Sequence, residues 1–221
     1  LSHSSAASDV YKRQYMFHYR WHFEEDADNA SSILPLNHKV NLSEDAWKLF
    51  KEGIGKRQIE RLWVVGSNNI TASIIENSYK RFLETMQTHL ENLPFLFGYR
   101  PSSADFAIYG QLTQLIGLDP TSRAIAHEKS LRTVSWINGL EDLSGIEPEN
   151  NPWIGLEELP ESMKSLLQEI GRGYVPALLE NSKALEKGDE TWETEIDGST
   201  WSQKTFNSVS YTHLRAHETT S

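Results

Sequence analysis

The stretch FGYRPSSADFAIYGQL, residues 97–112, sets one carboxylate, Asp105, at the head of an apolar helical run. Such an acid can be a catalytic group, a metal ligand or part of the fold, and its neighbours decide among the three. Ser102 stands three residues before it, which is the spacing of a capping box: the N-cap hydroxyl accepts from the N3 backbone N–H while the N3 side chain accepts from the N-cap N–H. Pro101 at N′ and Phe106 at N4 have the spacing of a hydrophobic staple, and Gly98 permits the tight turn that delivers the chain. The negative charge also suits the positive end of the helix macrodipole, worth roughly 0.3–1 kcal/mol when exposed. Because the first N–H groups of a helix must find partners, Gly98, Ser102, Asp105 and Phe106 are expected to hold a helix start. No chemistry is required of them.

The segments on either side keep the helical period. TASIIENSYKRFLETMQTHLENLP, residues 71–94, lines Ile74, Ile75, Tyr79, Phe82, Leu83, Met86 and Leu90 along one face before Pro94 stops it. In NLSEDAWKLFKEGIGKRQIERLWVVG, residues 41–66, Asn41 can cap with Glu44 as its capping-box partner. Trp47, Phe50, Ile54, Ile59, Leu62 and Trp63 recur at helical spacing, and Gly66 ends the run. YMFHYRWHFEEDADNASSIL, residues 15–34, reads as a further helix. After residue 101 come SSADFAIYGQLTQLIG, PTSRAIAHEKS, LRTVSWINGLEDLSG and PESMKSLLQEIGRGYVPALLENSKALEKG, with Gly171, Gly173 and Pro176 expected to kink or break the last. TWETEIDGSTWSQ alternates around Asp197-Gly198, the signal for a type I′ hairpin. Neither an internal repeat nor a low-complexity segment interrupts this pattern. The expected fold is all-α, a helical bundle with a short C-terminal β-hairpin.

Both ends read as translated DNA adapter. DVYKRQ, residues 9–14, back-translates as GAT GTG TAT AAG AGA CAG, and its reverse complement, CTGTCTCTTATACACATC, read two bases in, gives Val-Ser-Tyr-Thr-His and a Leu-compatible start, the residues at 209–214. One DNA element in opposite orientations thus accounts for both ends, so residues 1–14 and 209–221 are set aside as scars. The expected organisation is a helical domain at 15–187 and a hairpin extension at 188–208, cut from a longer gene.

Charge and composition exclude several functions. The 221 residues have a net charge of −10, and without Asp9, Lys12, Arg13, Arg215 and Glu218 the remainder holds 18 basic against 29 acidic residues. Such a chain repels phosphate backbones, so no nucleic-acid partner is expected. No apolar run approaches the ~20 residues that span a bilayer, and no membrane partner is expected either. With no signal-type apolar region and no cysteine, the expected compartment is the cytoplasm, without disulfides, thiolate zinc sites or a Cys nucleophile. His18 and His22 are spaced i, i+4 with Glu25 three further on, but H-E-x-x-H order is absent and no third His is near, so no metal is expected. The acidic run EEDAD at 24–28 is expected to be a solvated helix face. KEGIGKRQ lacks full phosphate-loop spacing, and the sequons at Asn29, Asn41 and Asn69 have no secretory context.

Taken together, G-Y-R-P-S-S-A-D-F and its all-helical surroundings resemble the carboxy-terminal domain of the glutathione transferase family. There a Gly precedes a four-residue approach to Ser or Thr, with Asp three later, at the start of a buried central helix; Gly98, Ser102 and Asp105 match. Pro101 departs from the usual Ile or Leu of the staple. FLFG before the motif and SLRTVSWINGLEDL after it extend the resemblance over most of residues 15–187. The resemblance implies an intact protein that joins glutathione to electrophilic substrates, with a thioredoxin-like domain upstream as partner and possible homodimerisation. No catalytic residue and no cofactor is implied within this chain, since glutathione, the co-substrate, is bound and activated by the upstream domain. What this chain would supply is the wall of the apolar co-substrate site, usually built from the first helix. Met16, Tyr19, Arg20 and Phe23 are the residues this assigns to substrate binding. A non-catalytic helical interaction or scaffolding module is the alternative.

Overall fold

The computed structural model describes residues 14–147 and 153–205. The expected adapter tails lie outside the described residues except for Gln14, and so do residues 206–208 of the expected hairpin extension. Gln14 is helical, and its side-chain amide donates to Val65 O at 2.8 Å.

The helix expected over residues 15–34 is two helices, α1 (14–22) and α2 (Glu24–His38). The break falls at Phe23, whose extended backbone (φ −92°, ψ 133°) makes it the N-cap of α2. The acidic run then occupies the first turn of α2, where the macrodipole favours it. Glu24, Glu25 and Asp28 are exposed as expected, but Asp26 is not on a solvated face. It is fully buried and accepts the backbone N–H and the hydroxyl of Thr121. Pro35 is tolerated inside α2, which runs on to His38.

Helix α3 (Glu44–Ile59) is capped by Ser43, whose hydroxyl accepts from Ala46 N, and not by the expected Asn41 with Glu44. It stops short of the expected end, and a single 3-10 turn, Leu62–Val65, closes on Gly66 in the left-handed region at φ 69°. Helix α4 (Ala72–His89) buries Ile74, Ile75, Tyr79, Phe82, Leu83 and Met86, the face expected of it. Then come α5 (Ser103–Gly117), α6 (Pro120–Lys129), α7 (Leu131–Glu141), a 3-10 turn Leu156–Glu158 and α8 (Glu161–Glu169). The glycine-rich Ile170–Tyr174 takes a π-helical turn, so α8 is joined to α9 (Val175–Lys187) without a gap; the segment is not broken at Gly171 and Gly173, and Pro176 is accommodated in the first turn of α9.

Two antiparallel strands follow, β1 (Thr191–Ile196) and β2 (Ser199–Lys204), paired from Thr191 with Lys204 to Ile196 with Ser199. Asp197 (φ 51°) and Gly198 (φ 71°) both have positive φ, as the central pair of a type I′ turn must. Trp192, Ile196, Trp201 and Gln203 turn inward, the alternate positions outward.

Helices α4 to α8 pack about one another, with α9 and the hairpin against one side. The main core joins Tyr15 and Tyr19 of α1 to Tyr79, Leu83 and Met86 of α4, Leu112 and Leu115 of α5, and Trp192 and Trp201 of the hairpin. Burying each large apolar side chain contributes about 1.5–3 kcal/mol. A smaller cluster, Trp21, Ala27 and Ala30, serves the α2–α3 arm. The described residues are thus mostly helical with one small sheet, and no helix among them is long and apolar enough to cross a membrane.

Candidate functional site

Helix α1 carries all but one of the side chains expected on a substrate wall, and the structure divides them. Met16 and Phe23 are half-buried at the edge of the main core. Tyr19 is fully buried: its ring stacks on Phe23 (5.6 Å between centroids, 12° apart) and tilts against Tyr79 at 5.1 Å. Burial raises the Tyr19 phenol, reinforced by the charges of Glu76 and Asp26, so it is a neutral hydroxyl at ordinary pH. Arg20 is also inside, with a bidentate fork onto Asp119 (Nε to Oδ1 2.8 Å, Nη2 to Oδ2 3.0 Å) and a third bond from Nη2 to Gln114 Oε1 at 3.2 Å. A guanidinium spent in this way on a buried carboxylate has no fork left for a substrate anion. Tyr19 and Arg20 therefore lie in the packed interior, pointed at Tyr79 of α4 and at Asp119 before α6.

Asp119 shows how this network forms. As the residue before Pro120 it occupies the N-cap of α6, yet its side chain makes no capping bond. It turns to Arg20 instead, and Asp26 reaches across from α2 to take the Thr121 N–H. Burial pushes the Asp119 carboxyl above its ordinary value, and the Arg20 guanidinium opposes that shift.

Next to this network His18 is fully buried, its ring stacked on His22 at 4.7 Å, with Nδ1 hydrogen-bonded to Ser67 Oγ at 2.8 Å. Nε2 stands 3.7 Å from Glu76 Oε1, beyond hydrogen-bond reach. Burial, with the neighbouring His22, pushes His18 down to about 3, so it is neutral at physiological pH. Glu25 is exposed beyond the break at Phe23, and among the described residues no group of three or more His, Asp or Glu is placed to hold a metal ion.

The capping constellation lies at the start of α5. Ser102 Oγ accepts from Asp105 N, and the Asp105 carboxylate accepts from Ser102 N (2.8 Å), Ser102 Oγ (2.6 Å) and, from its other oxygen, Leu96 N (2.8 Å). Asp105 is fully buried. Gly98, at φ 129°, pairs with Phe95 and with Trp153, fixing the turn that leads in. Phe106, expected beneath Pro101, keeps 47% of its surface exposed and is part of neither core cluster.

Behind the box lies a residue that the sequence did not flag. His89, at the end of α4, is buried, with Nε2 at 3.1 Å from Phe95 O and Nδ1 at 2.9 Å from Ser162 Oγ. A carbonyl can only accept, so Nε2 carries the proton and Nδ1 accepts from the Ser162 hydroxyl. His89 thereby ties α4 and α8 to the turn that Asp105 holds. No protein-family model, curated protein or solved structure matches this chain.

Proposed function

We propose that this chain is the all-helical carboxy-terminal domain of a glutathione transferase-like protein, whose intact form conjugates glutathione to electrophilic, mostly apolar substrates. The observation that carries the reading is Asp105: a buried carboxylate closing both halves of a capping box and gripping Leu96 N as well. It sits at the start of an interior helix whose Ile108, Leu112 and Leu115 belong to the main core. Conjugation needs a thiolate stabilised by a neighbouring donor. In this proposal glutathione is co-substrate, and that donor belongs to a thioredoxin-like domain of the intact, cytoplasmic, homodimeric protein. The chain's own share is apolar surface along α1 and the break that follows it, where Met16 and Phe23 are the two reachable members of the expected wall.

The test is conjugation of glutathione to a general chromogenic electrophile. The isolated chain is expected to give no turnover above the uncatalysed rate and weak glutathione binding at best, and fusion to its native upstream segment is expected to restore turnover. Measurable turnover by the isolated chain overturns the assignment of thiol activation to another domain. The second reading, a non-catalytic helical interaction module, is favoured by the burial of Tyr19 and Arg20, which leaves α1 little polar chemistry to offer. A full-length protein with an intact glutathione site but no turnover decides for it.

A further inference from the structure

The turn at residues 62–67 is gripped from two sides. From the hairpin, Gln203 Nε2 donates to Val64 O at 2.7 Å while Gln203 Oε1 accepts from Trp201 Nε1 at 3.1 Å. The buried Trp201 indole lies so close over Gly66 that a Cβ at this positive-φ residue would collide with it. The Lys204 ammonium stands 5.0 Å above the Trp63 ring. From the other side, Gln14 Nε2 donates to Val65 O at 2.8 Å, and Ser67 Oγ hydrogen-bonds His18 Nδ1 at 2.8 Å. Val64 and Gly66 thus face the hairpin, Val65 and Ser67 face α1. Thr71 Oγ1, donating to Gly66 O at 2.5 Å, fixes the exit of the turn.

The break at Phe23 separates α1 from α2, so the position of α1 depends on its packing and on these contacts and not on continuation of α2. The opposite end of the hairpin is secured elsewhere, by Arg81, which bridges Asp197 (2.8 Å) and Glu169 (2.9 Å).

We propose that the carboxy-terminal hairpin is a clamp that sets the position of α1 through the Leu62–Ser67 turn. Trp201 and Gln203 hold the turn, the turn holds Gln14 and His18, and these two fix the helix that carries Met16 and leads into Phe23. The clamp goes beyond the transferase reading and acts on α1 whatever that helix binds.

The experiment uses the full chain and reads His18 by the pH titration of its ring resonances, together with amide hydrogen exchange. The groups facing His18 are the stacked His22, the Glu76 carboxylate, Ser67 and Tyr19. In the unmodified chain burial and the neighbouring His22 hold the His18 midpoint far below the ordinary histidine value, at about 3. Gln203→Ala and Gly66→Ala are each expected to raise its midpoint by about one pH unit or more as water reaches the ring. Amides of residues 14–22 and 62–71 are expected to exchange roughly tenfold faster, with those of α5 to α7 unchanged. Asp197→Asn, at the far end of the hairpin, leaves His18 where it is. An unmoved His18 in a variant whose tryptophan fluorescence reports a detached hairpin overturns the clamp. Acceleration spread evenly over α5 to α7, or an equal His18 shift from Asp197→Asn, overturns it as well, because the hairpin then adds only general stability. Gln203→Ala removes the hydrogen bonds of one side chain and carries the test alone should Gly66→Ala not fold.

Discussion

Helices α3 and α4 share an apolar rhythm and differ in what they do with it. In α4 the stripe Ile74, Ile75, Tyr79, Phe82, Leu83 and Met86 is buried. In α3 only Gly55 is buried; Trp47 and Ile54 are half-covered, and Leu49 and Phe50 stand 71% and 51% exposed. The difference lies in the partners. Helix α4 packs against α6, α7 and α8, whereas the main partner of α3 is α2, whose inner face offers small residues, Ala27, Ala30 and Ser31. An arm built on Ala and Ser cannot cover a stripe of Trp, Phe and Ile. Periodicity therefore establishes that a segment is a helix, while the volume available opposite decides whether its stripe is core.

The strongest way to sharpen this contrast is to open the core side. Leu83 is fully buried in the main cluster, and Leu83→Ala is expected to cost about 2–5 kcal/mol by lost transfer energy and the cavity left behind. Arg20→Ala belongs to the same class. It strands the buried Asp119 carboxylate, and breaking such a pair costs about 3–5 kcal/mol. Urea denaturation midpoints measure both. A loss below about 1 kcal/mol for either substitution would show that the α1–α4–α6 interior relaxes far more easily than its packing suggests.

Next in size is the capping box. Asp105→Ala removes an acceptor from Ser102 N and Leu96 N at once, so about 2 kcal/mol is expected from the lost cap and the orphaned donors. Asp105→Asn should cost less, since its amide oxygen still accepts one of them. Equal and severe losses from both would mean that the charge itself is required.

What was legible before the structure follows the same division. Asp105 and Ser102 could be read because a capping box is local: four residues contain its whole logic. The hairpin was legible for the same reason, Asp197-Gly198 supplying two positive-φ positions in sequence. Arg20 with Asp119, Asp26 with Thr121 and His89 with Ser162 were not, since their partners lie 99, 95 and 73 residues away. PTSRAIAHEKS was read as a helical segment, but nothing local told that Asp119, just before it, would turn its carboxylate from that helix to Arg20. Within the expected wall, the resemblance assigned Met16, Tyr19, Arg20 and Phe23 to the helix expected over residues 15–34 and was silent on which neighbours would enclose two of them.

Acid should then separate the two regions. His18 and His89 are both buried, and burial lowers both, His18 to about 3. The unfolded chain takes up these protons near its ordinary value of about 6.5, earlier than the folded one. Stability from both groups is thus fully present above about pH 6.5 and declines as pH falls, for His18 across the window from there to about 3. His18→Gln is expected to flatten part of this decline in a series of urea midpoints between pH 7 and pH 4. A curve parallel to that of the unmodified chain would contradict the burial of His18.

The smallest effect belongs to the arm, and it is informative because it is small. Leu49 and Phe50 stand on the solvent face of α3, one turn from Gly53, around whose Cα nothing lies within 4 Å of an added Cβ. With so little area to lose, Leu49→Ser should change stability by no more than about 0.5 kcal/mol, the range of a surface site. Gly53→Ala should stabilise by roughly 0.5–1 kcal/mol, because alanine restricts the unfolded chain and strains nothing in the helix. Both are read as shifts in thermal midpoint on the full chain. If Leu49→Ser instead costs as much as a core truncation, or Gly53→Ala destabilises, then the outer face of α3 is packed against something in solution, and the contrast between the two helices becomes one between an internal partner and an external one.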